Sequence, residues 1–362
     1  MPEAAPTPPT DTERRSTVTS TSPTALPPAV MRLRELALSA ACAAAVRAAA
    51  SLGVADVLGD EPTDAGTLAK AVRADAGALE RLLRALASYD VFTELPDGRF
   101  AHTDASRLLR EDAPRGLRYS ALWATEPWTW ALWPHLADAV RTGREEFTGL
   151  YGTGFFDWLH TAEARESAQV FDKAMTQSSV LSARSIADVL DLDGVSAMVD
   201  IAGGQGMVLA TLLEKYPKLR GTLFDLPKVV ADADPRLREG GELAGRARLV
   251  AGDCRRSVPE GADLYLLKNI LEWDDESTVR TLRNVAKAAP AGARVVVVEN
   301  LVDGSPETRF TTAMDLMLLL NVGGKKHTKA GLSALVEQAG LQLEEVRPVN
   351  SYLHMFVSTV PA

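Results

Sequence analysis

The chain has 362 residues, 46% of them hydrophobic and 24% charged, a balance that fits a globular protein of two domains at about 100–200 residues each. A net charge of −9 argues against a nucleic-acid backbone as the main partner. Cys42 and Cys254 fall in different expected domains and make no disulfide framework. A reduced, cytoplasmic chain is expected from that cysteine usage; no apolar run is long enough to span a bilayer and the N-terminus lacks an apolar signal core.

Residues 1–28 are rich in Pro, Ser, Thr and Ala, cannot bury much apolar surface, and read as a disordered tail. Residues 30–52 read as one Ala-rich helix with Leu33, Leu36, Ala40, Ala44 and Ala48 on one side. Small residues let another helix approach closely, either at a dimer seam or in an ordinary core. Two short helices, over 67–72 and 76–89, precede a hairpin over 91–102 around Pro96-Asp97-Gly98, which is a winged-helix pattern. Its second helix carries Glu80, Arg81 and Arg84 among mostly apolar neighbours, not the basic face that DNA reading requires. Residues 119–185 read as helical and hold five of the six tryptophans: Trp123, Trp128, Trp130, Trp133 and Trp158, with Phe155 and Phe156 nearby. Such a concentration suits a flat aromatic or polycyclic ligand, although at least half of these rings are expected to be core.

The stretch 199–227, VDIAGGQGMVLATLLEKYPKLRGTLFDLP, carries the most chemistry. Met198, Val199 and Ile201 suggest a buried strand, and Gly203, Gly204 and Gly206 a tight turn. Val208, Leu209, Leu212, Leu213 and Tyr216 recur at helical spacing until Pro217, and residues 221–224 make a second strand that ends at Asp225. A glycine turn opening a helix, with a carboxylate about 20 residues on for ribose hydroxyls, reads as a nucleoside-cofactor site at the carboxyl edge of an α/β sheet. A Rossmann-like sheet with no ligand is the other reading. The third glycine of the dinucleotide fingerprint G-x-G-x-x-G falls on Leu209 or Met207, and no phosphate loop G-x-x-x-x-G-K-S/T occurs, so the cofactor is expected to lack a pyrophosphate. S-adenosylmethionine (SAM) meets that condition, and Asp200 is placed to face its amine.

Downstream, residues 248–250 form a strand ahead of Gly252-Asp253-Cys254, with Asp253 and Cys254 expected at an adenine. Residues 263–270 form a buried strand running into Leu271-Glu272-Trp273, and 293–299 (ARVVVVE) another. With VDIAGGQG, FDLP, GDC, LLKNILEWDDE, VVVVEN and MDLMLLLNVGGKKHT in this order, the chain from about Met31 onward resembles the class I SAM-dependent O-methyltransferases of the caffeate, anthracycline and phenazine type. The resemblance implies an α/β, Rossmann-like SAM-binding domain over 191–362 and a mainly helical winged-helix dimerisation domain over 29–110. Residues 111–190 then form a helical linker that helps build the acceptor pocket. It implies a homodimer that releases S-adenosylhomocysteine, with no metal, nucleic acid or membrane partner. Leu226 and Lys268 would join the cofactor residues named above. Phe155, Phe156, Met175, Met314, Met317 and Asn321 would line a pocket for a small aromatic acceptor, where flexible methionines fit rings of varied shape.

Methyl transfer to oxygen needs a nucleophile, and a phenol with a pKa of about 10 benefits from a base. The family usually supplies a histidine in L-H-D-W, backed by two glutamates. Here the segment is Leu271-Glu272-Trp273, one residue shorter and without histidine; counted from Lys268, Glu272 takes the histidine position, and counted back from Trp273 it takes that of the following aspartate. The second departure is Gly323-Gly324-Lys325-Lys326-His327-Thr328, where Lys326 stands in for a family glutamate and His327 for an arginine; Glu299 matches the other glutamate. Three readings follow: Glu272 acts as the base with its pKa raised by burial, His327 reaches in from an exposed loop, or no dedicated base exists and proximity suffices. Loss of the histidine also permits an alternative class, a relative that keeps SAM but performs hydroxylation, decarboxylation or a pericyclic step.

Overall fold

Val295, Val296, Val297 and Val298 form an unbroken β-branched run, and such a run is stable only where both faces of a sheet are covered. The computed structural model, which describes residues 26–304, 306 and 308–362, covers both. Val295 and Val297 pack on one face with Val199, Ile201, Tyr265 and Leu267. Val296 and Val298 pack on the other with Met198, Leu264, Leu266 and Leu209. Each fully buried valine contributes roughly 1.5–3 kcal/mol relative to an exposed one, so the central strands anchor the domain.

The strands in chain order are β1 (Phe92–Glu94), β2 (Phe100–His102), β3 (Ala197–Ile201), β4 (Arg220–Asp225), β5 (Ala247–Ala251), β6 (Leu264–Lys268), β7 (Arg294–Glu299), β8 (Gln342–Pro348) and β9 (His354–Thr359). The last seven form one sheet in the order β5-β4-β3-β6-β7-β9-β8. β3 to β7 run parallel, and β9 is antiparallel to both β7 and β8. The order reverses between β3 and β6, and open α/β sheets bind ligands at the carboxyl ends of such a switch point. Both strands leave the sheet there through non-glycine residues with positive φ, Ala202 (49°) and Asn269 (51°). Strained backbone of this kind collects at functional sites.

The winged-helix pattern is present. Helices Ala65–Val72 and Ala76–Ala87 are capped by Asp64 and Asp75, whose carboxylates accept from Thr67 N and Ala78 N. The β1–β2 hairpin follows, turning through Gly98 at φ 80°. The single helix expected over 30–52 is instead two, Pro28–Ala37 and Ser39–Leu52, bent by 46°. The Ser39 hydroxyl donates to the Leu36 carbonyl at 2.8 Å, a local bond that competes with the helical ladder at the break. Pro28 already opens the first helix, so the expected tail stops short of it, and residues 1–25 of that tail lie outside the described residues. The first helix buries none of its residues: Leu33 is 70% exposed, Leu36 51% and the following Leu38 69%. No single helix among the described residues is long and apolar enough to cross a membrane.

Between the two regions run several short helices and one of 25 residues, Arg165–Val189, which packs on Met207–Lys215 and on Arg118–Ala124. Trp128, Phe147, Phe155 and Trp158 form a buried aromatic cluster against Met317 and Leu320. The ring centroids of Trp128 and Phe155 are 4.8 Å apart, and Phe147 meets Phe155 edge-on at 5.3 Å. Trp128→Ala leaves a void beside Phe155; the expected loss is about 3–5 kcal/mol of unfolding free energy, read by urea denaturation with a normal slope.

Candidate active site

At the end of β3 the chain must turn within the width of one strand. A Cβ on Gly203 would lie 2.5 Å from Asp200 Oδ2 and 2.7 Å from Leu223, so only glycine lets the turn close over Asp200. Gly204 has φ 61° and donates its N–H to Asp225 Oδ2 at 2.8 Å, while Leu226 N donates to Oδ1 at 2.6 Å. Each Asp225 oxygen thus keeps a free lone pair. Asp200 is buried, and its Oδ2 accepts no hydrogen bond. Burial lifts its pKa to about 7 against the pull of Lys268, and lifts that of Asp225 to about 6. Two desolvated carboxyls with unused acceptor capacity fit a ligand that brings an ammonium and a pair of hydroxyls.

These groups line a cavity of about 1670 Å³ that runs from the sheet edge towards the helical region. Its walls include Asp200, Gly203, Gly204, Asp225, Leu226, Asp253, Cys254 and Lys268. Gly206 is not in the wall; at φ 87°, with Leu237 2.5 Å from where its Cβ would stand, it starts the helix Met207–Lys215. The Asp253 carboxylate accepts from Arg255 Nε and Nη2, both at 3.0 Å. Burial raises the Asp253 pKa, and Arg255 outweighs burial to hold it below the usual carboxylate range. Asn284 pins the Cys254 carbonyl at 2.9 Å, and burial pushes the Cys254 thiol up to about 12, so this cysteine is no nucleophile. Lys268 sits at the end of β6 with Nζ 3.5 Å from Ser179 Oγ, and burial holds its pKa below the lysine norm.

The cavity continues past Phe155, Phe156, Met175, Met314, Met317 and Asn321. Met314, Met317, Leu318 and Asn321 recur at spacing i, i+3, i+4 and i+7, so the helix Thr308–Val322 turns one face to the cavity. Of the five tryptophans between 119 and 185, Trp123 alone lines the wall, with its Nε1 unpaired; Asn321 Oδ1 is likewise unpaired. Trp128 and Trp158 are core.

The two departures in sequence meet in space. The Lys326 ammonium is paired with the Glu272 carboxylate, both lining the cavity, and Lys326 is 7% exposed. Gly324 makes this approach possible, because a Cβ there would stand 1.8 Å from the Glu272 carbonyl oxygen. Lys326 N donates to Asp315 Oδ1 at 2.6 Å, which ties the loop to the helix Thr308–Val322. Glu299 does not reach the cavity. Its Oε1 accepts from Ile270 N and Leu271 N, both at 3.0 Å, and so fixes the segment that carries Glu272. Burial, then Glu272, raise its pKa. His327 corrects the expectation of an exposed loop. It is 5% exposed, lies outside the cavity wall, and places Nε2 2.7 Å from the Leu271 carbonyl; burial holds its pKa below the usual histidine value. Tyr352 and Asn350 also line the cavity, and no sequence signal singled them out.

A Rossmann-like sheet with a carboxylate at its carboxyl edge, no pyrophosphate loop and an adjoining aromatic chamber fits a nucleoside-cofactor-dependent transferase. The chain belongs to the O-methyltransferase family: residues 133–342 match the O-methyltransferase domain, and residues 34–112 the O-methyltransferase dimerisation domain. It is 38% identical over 308 residues to a mitomycin biosynthesis 6-O-methyltransferase of Streptomyces lavendulae, covering 84% of this chain and 87% of the relative. It is 34% identical over 306 residues to the phenazine O-methyltransferase PhzM of Lysobacter antibioticus, covering 84% and 89%. A solved O-methyltransferase of neocarzinostatin biosynthesis, in complex with S-adenosyl-L-homocysteine and 1,4-dihydroxy-2-naphthoic acid, superposes with a TM-score of 0.73 at 33% identity, covering 88% and 96%. The chain is a SAM-dependent O-methyltransferase.

Two consequences are measurable. With ribose hydroxyls on Asp225 as proposed below, Asp225→Ala removes charge-assisted acceptors worth roughly 2–4 kcal/mol in all, and SAM affinity is expected to fall at least about thirtyfold by calorimetry with the fold intact. Ligand hydroxyls and an ammonium favour ionised carboxylates, whereas the free protein holds protons on Asp200 and Asp225 up to pH about 7 and about 6. Affinity for S-adenosylhomocysteine therefore rises from pH 5 towards pH 7, and binding at about pH 6 releases protons, seen as a buffer-dependent enthalpy.

Proposed function

We propose that the chain is a homodimeric, cytoplasmic enzyme that methylates a hydroxyl of a small aromatic or polycyclic acceptor in secondary-metabolite biosynthesis. The observation that carries this reading is the single cavity shared by the cofactor edge and the aromatic wall. SAM supplies an electrophilic methyl group. Asp200 would take its ammonium and Asp225 its ribose hydroxyls, with Asp253 and Cys254 beside the adenine. Phe155 and Phe156 would flank the acceptor ring, and Met175, Met314 and Met317 adapt to its outline. Trp123 Nε1 and Asn321 offer it an unpaired donor and an unpaired amide. The relatives named above are methyltransferases, and the alternative of a different SAM-dependent step rests on the missing histidine alone. The unpaired cysteines Cys42 and Cys254 suit a reducing compartment.

Of the three readings of the base, the one without a dedicated base is favoured, because Lys326 occupies Glu272 and the Leu271 carbonyl occupies His327. Incubation with SAM and a hydroxynaphthoic acid should yield S-adenosylhomocysteine and a methyl ether; no product across a panel of aromatic hydroxyls would remove the reading. Glu272→Gln is expected to lower turnover by less than about a hundredfold, and a fall above a thousandfold with SAM affinity unchanged makes it the base. The exposed Leu33, Leu36 and Leu38 favour a second copy as their cover. Light scattering should give a dimer mass, and Leu33→Glu with Leu36→Glu a monomer.

A further inference from the structure

Glu272, in the shortened Leu271-Glu272-Trp273 segment, and Lys326, in the Gly323–Thr328 loop, face each other as an ion pair. The groups that face Lys326 are Glu272 after β6, Glu299 at the end of β7, Tyr352 between β8 and β9, and Lys268 at the end of β6. Burial works against its charge, but Glu272 and Glu299 outweigh burial and hold its pKa above the usual lysine value. Lys326 is therefore an ammonium and cannot take a proton from the acceptor. It is a desolvated cation in the wall of the cavity that Tyr352, Met314 and Asn321 also line. An ammonium in such a place stabilises an adjacent oxyanion far more than it would in water.

We propose that Lys326 is a catalytic residue that holds the acceptor's reacting hydroxyl as its oxyanion, and that Glu272 is a positioning residue that keeps the ammonium in place. The inference rests on the methyltransferase reading above and narrows its substrate class to acidic phenols and hydroxyls of polycyclic rings. The acceptor loses its hydroxyl proton to water on binding. Its oxygen then forms a bond to the methyl carbon as the carbon–sulfur bond breaks and that electron pair returns to sulfur. The negative phenolate and the positive sulfonium become a neutral ether and a neutral thioether, and Lys326 keeps its proton throughout.

The test uses two chromophoric probes, 4-nitro-1-naphthol and the weaker acid 1-naphthol, with the full-length protein saturated in S-adenosylhomocysteine. In the wild type the absorbance of bound probe should titrate at least about one pH unit below that of free probe. Lys326→Arg should keep this shift and Lys326→Gln should lose it. The double variant Glu272→Gln/Lys326→Gln leaves no unpaired partner and should lose it too, so the test survives if Lys326→Gln fails to fold. In turnover with SAM, Lys326→Gln should cost at least about a hundredfold on 1-naphthol and less than about tenfold on 4-nitro-1-naphthol, which ionises unaided. Equal titration of the probes free and bound, or an equal shift in wild type and in the neutral variants, overturns the inference while methylation by the wild type leaves the broader reading standing. A wild type that neither shifts the probes nor forms S-adenosylhomocysteine from them overturns both.

Discussion

Charges taken out of water must be neutralised, paired or left for a ligand, and the active cavity is organised by that constraint. Asp200, Asp225, Glu272 and Glu299 meet two lysines, Lys268 and Lys326, within one poorly hydrated region. The acids do not share one fate. Glu272 takes the ion pair with Lys326, and Glu299 is turned to two backbone N–H groups. Asp200 is left with a bare oxygen. Carboxyls left short of partners have raised pKa values, and they stand where a cationic, hydroxyl-bearing nucleoside would sit. The buried pair itself is weak evidence for stability, since desolvation offsets much of its attraction.

The sheet was legible in the sequence because its strands are apolar on both faces and each is closed by a turn or an acid at its carboxyl end. β3, β4, β6 and β7 fall within a residue or two of where the apolar runs put them. The N-terminal helix was legible as apolar but not as broken, because the break at Leu38, where the Ser39 hydroxyl turns to the Leu36 carbonyl, interrupts no apolar period. The Trp-rich segment was read correctly as part lining and part core. Which ring does which depended on the fold: Trp128 is fixed by Phe147 and Phe155, far from it in sequence.

At the acceptor end the sequence showed both departures, at 272 and at 326, but took them one at a time. With Glu272 counted from Lys268, an acid gained and an acid exchanged for a lysine make a compensated swap, and the structure brings the two into contact. Loop reasoning placed His327 in solvent because loops usually run on the surface. It missed that Gly324, which tolerates no Cβ against the Glu272 carbonyl, presses this loop onto the 271–273 segment and carries His327 inward with it.

The helix Thr308–Val322 joins these two parts of the site. One face turns Met314, Met317 and Asn321 into the cavity, and Met317 and Leu320 also pack on the aromatic cluster of Trp128 and Phe155. From the same helix Asp315 holds the backbone of Lys326. In the proposed function, acceptor shape is set by the aromatic wall and acceptor charge by the Lys326–Glu272 pair, and both rest on this one helix. A ring that shifts Phe155 or Met317 also bears on the mount of the ammonium. Close packing transmits such shifts instead of absorbing them, so selectivity for the ring and activation of its hydroxyl are coupled by construction.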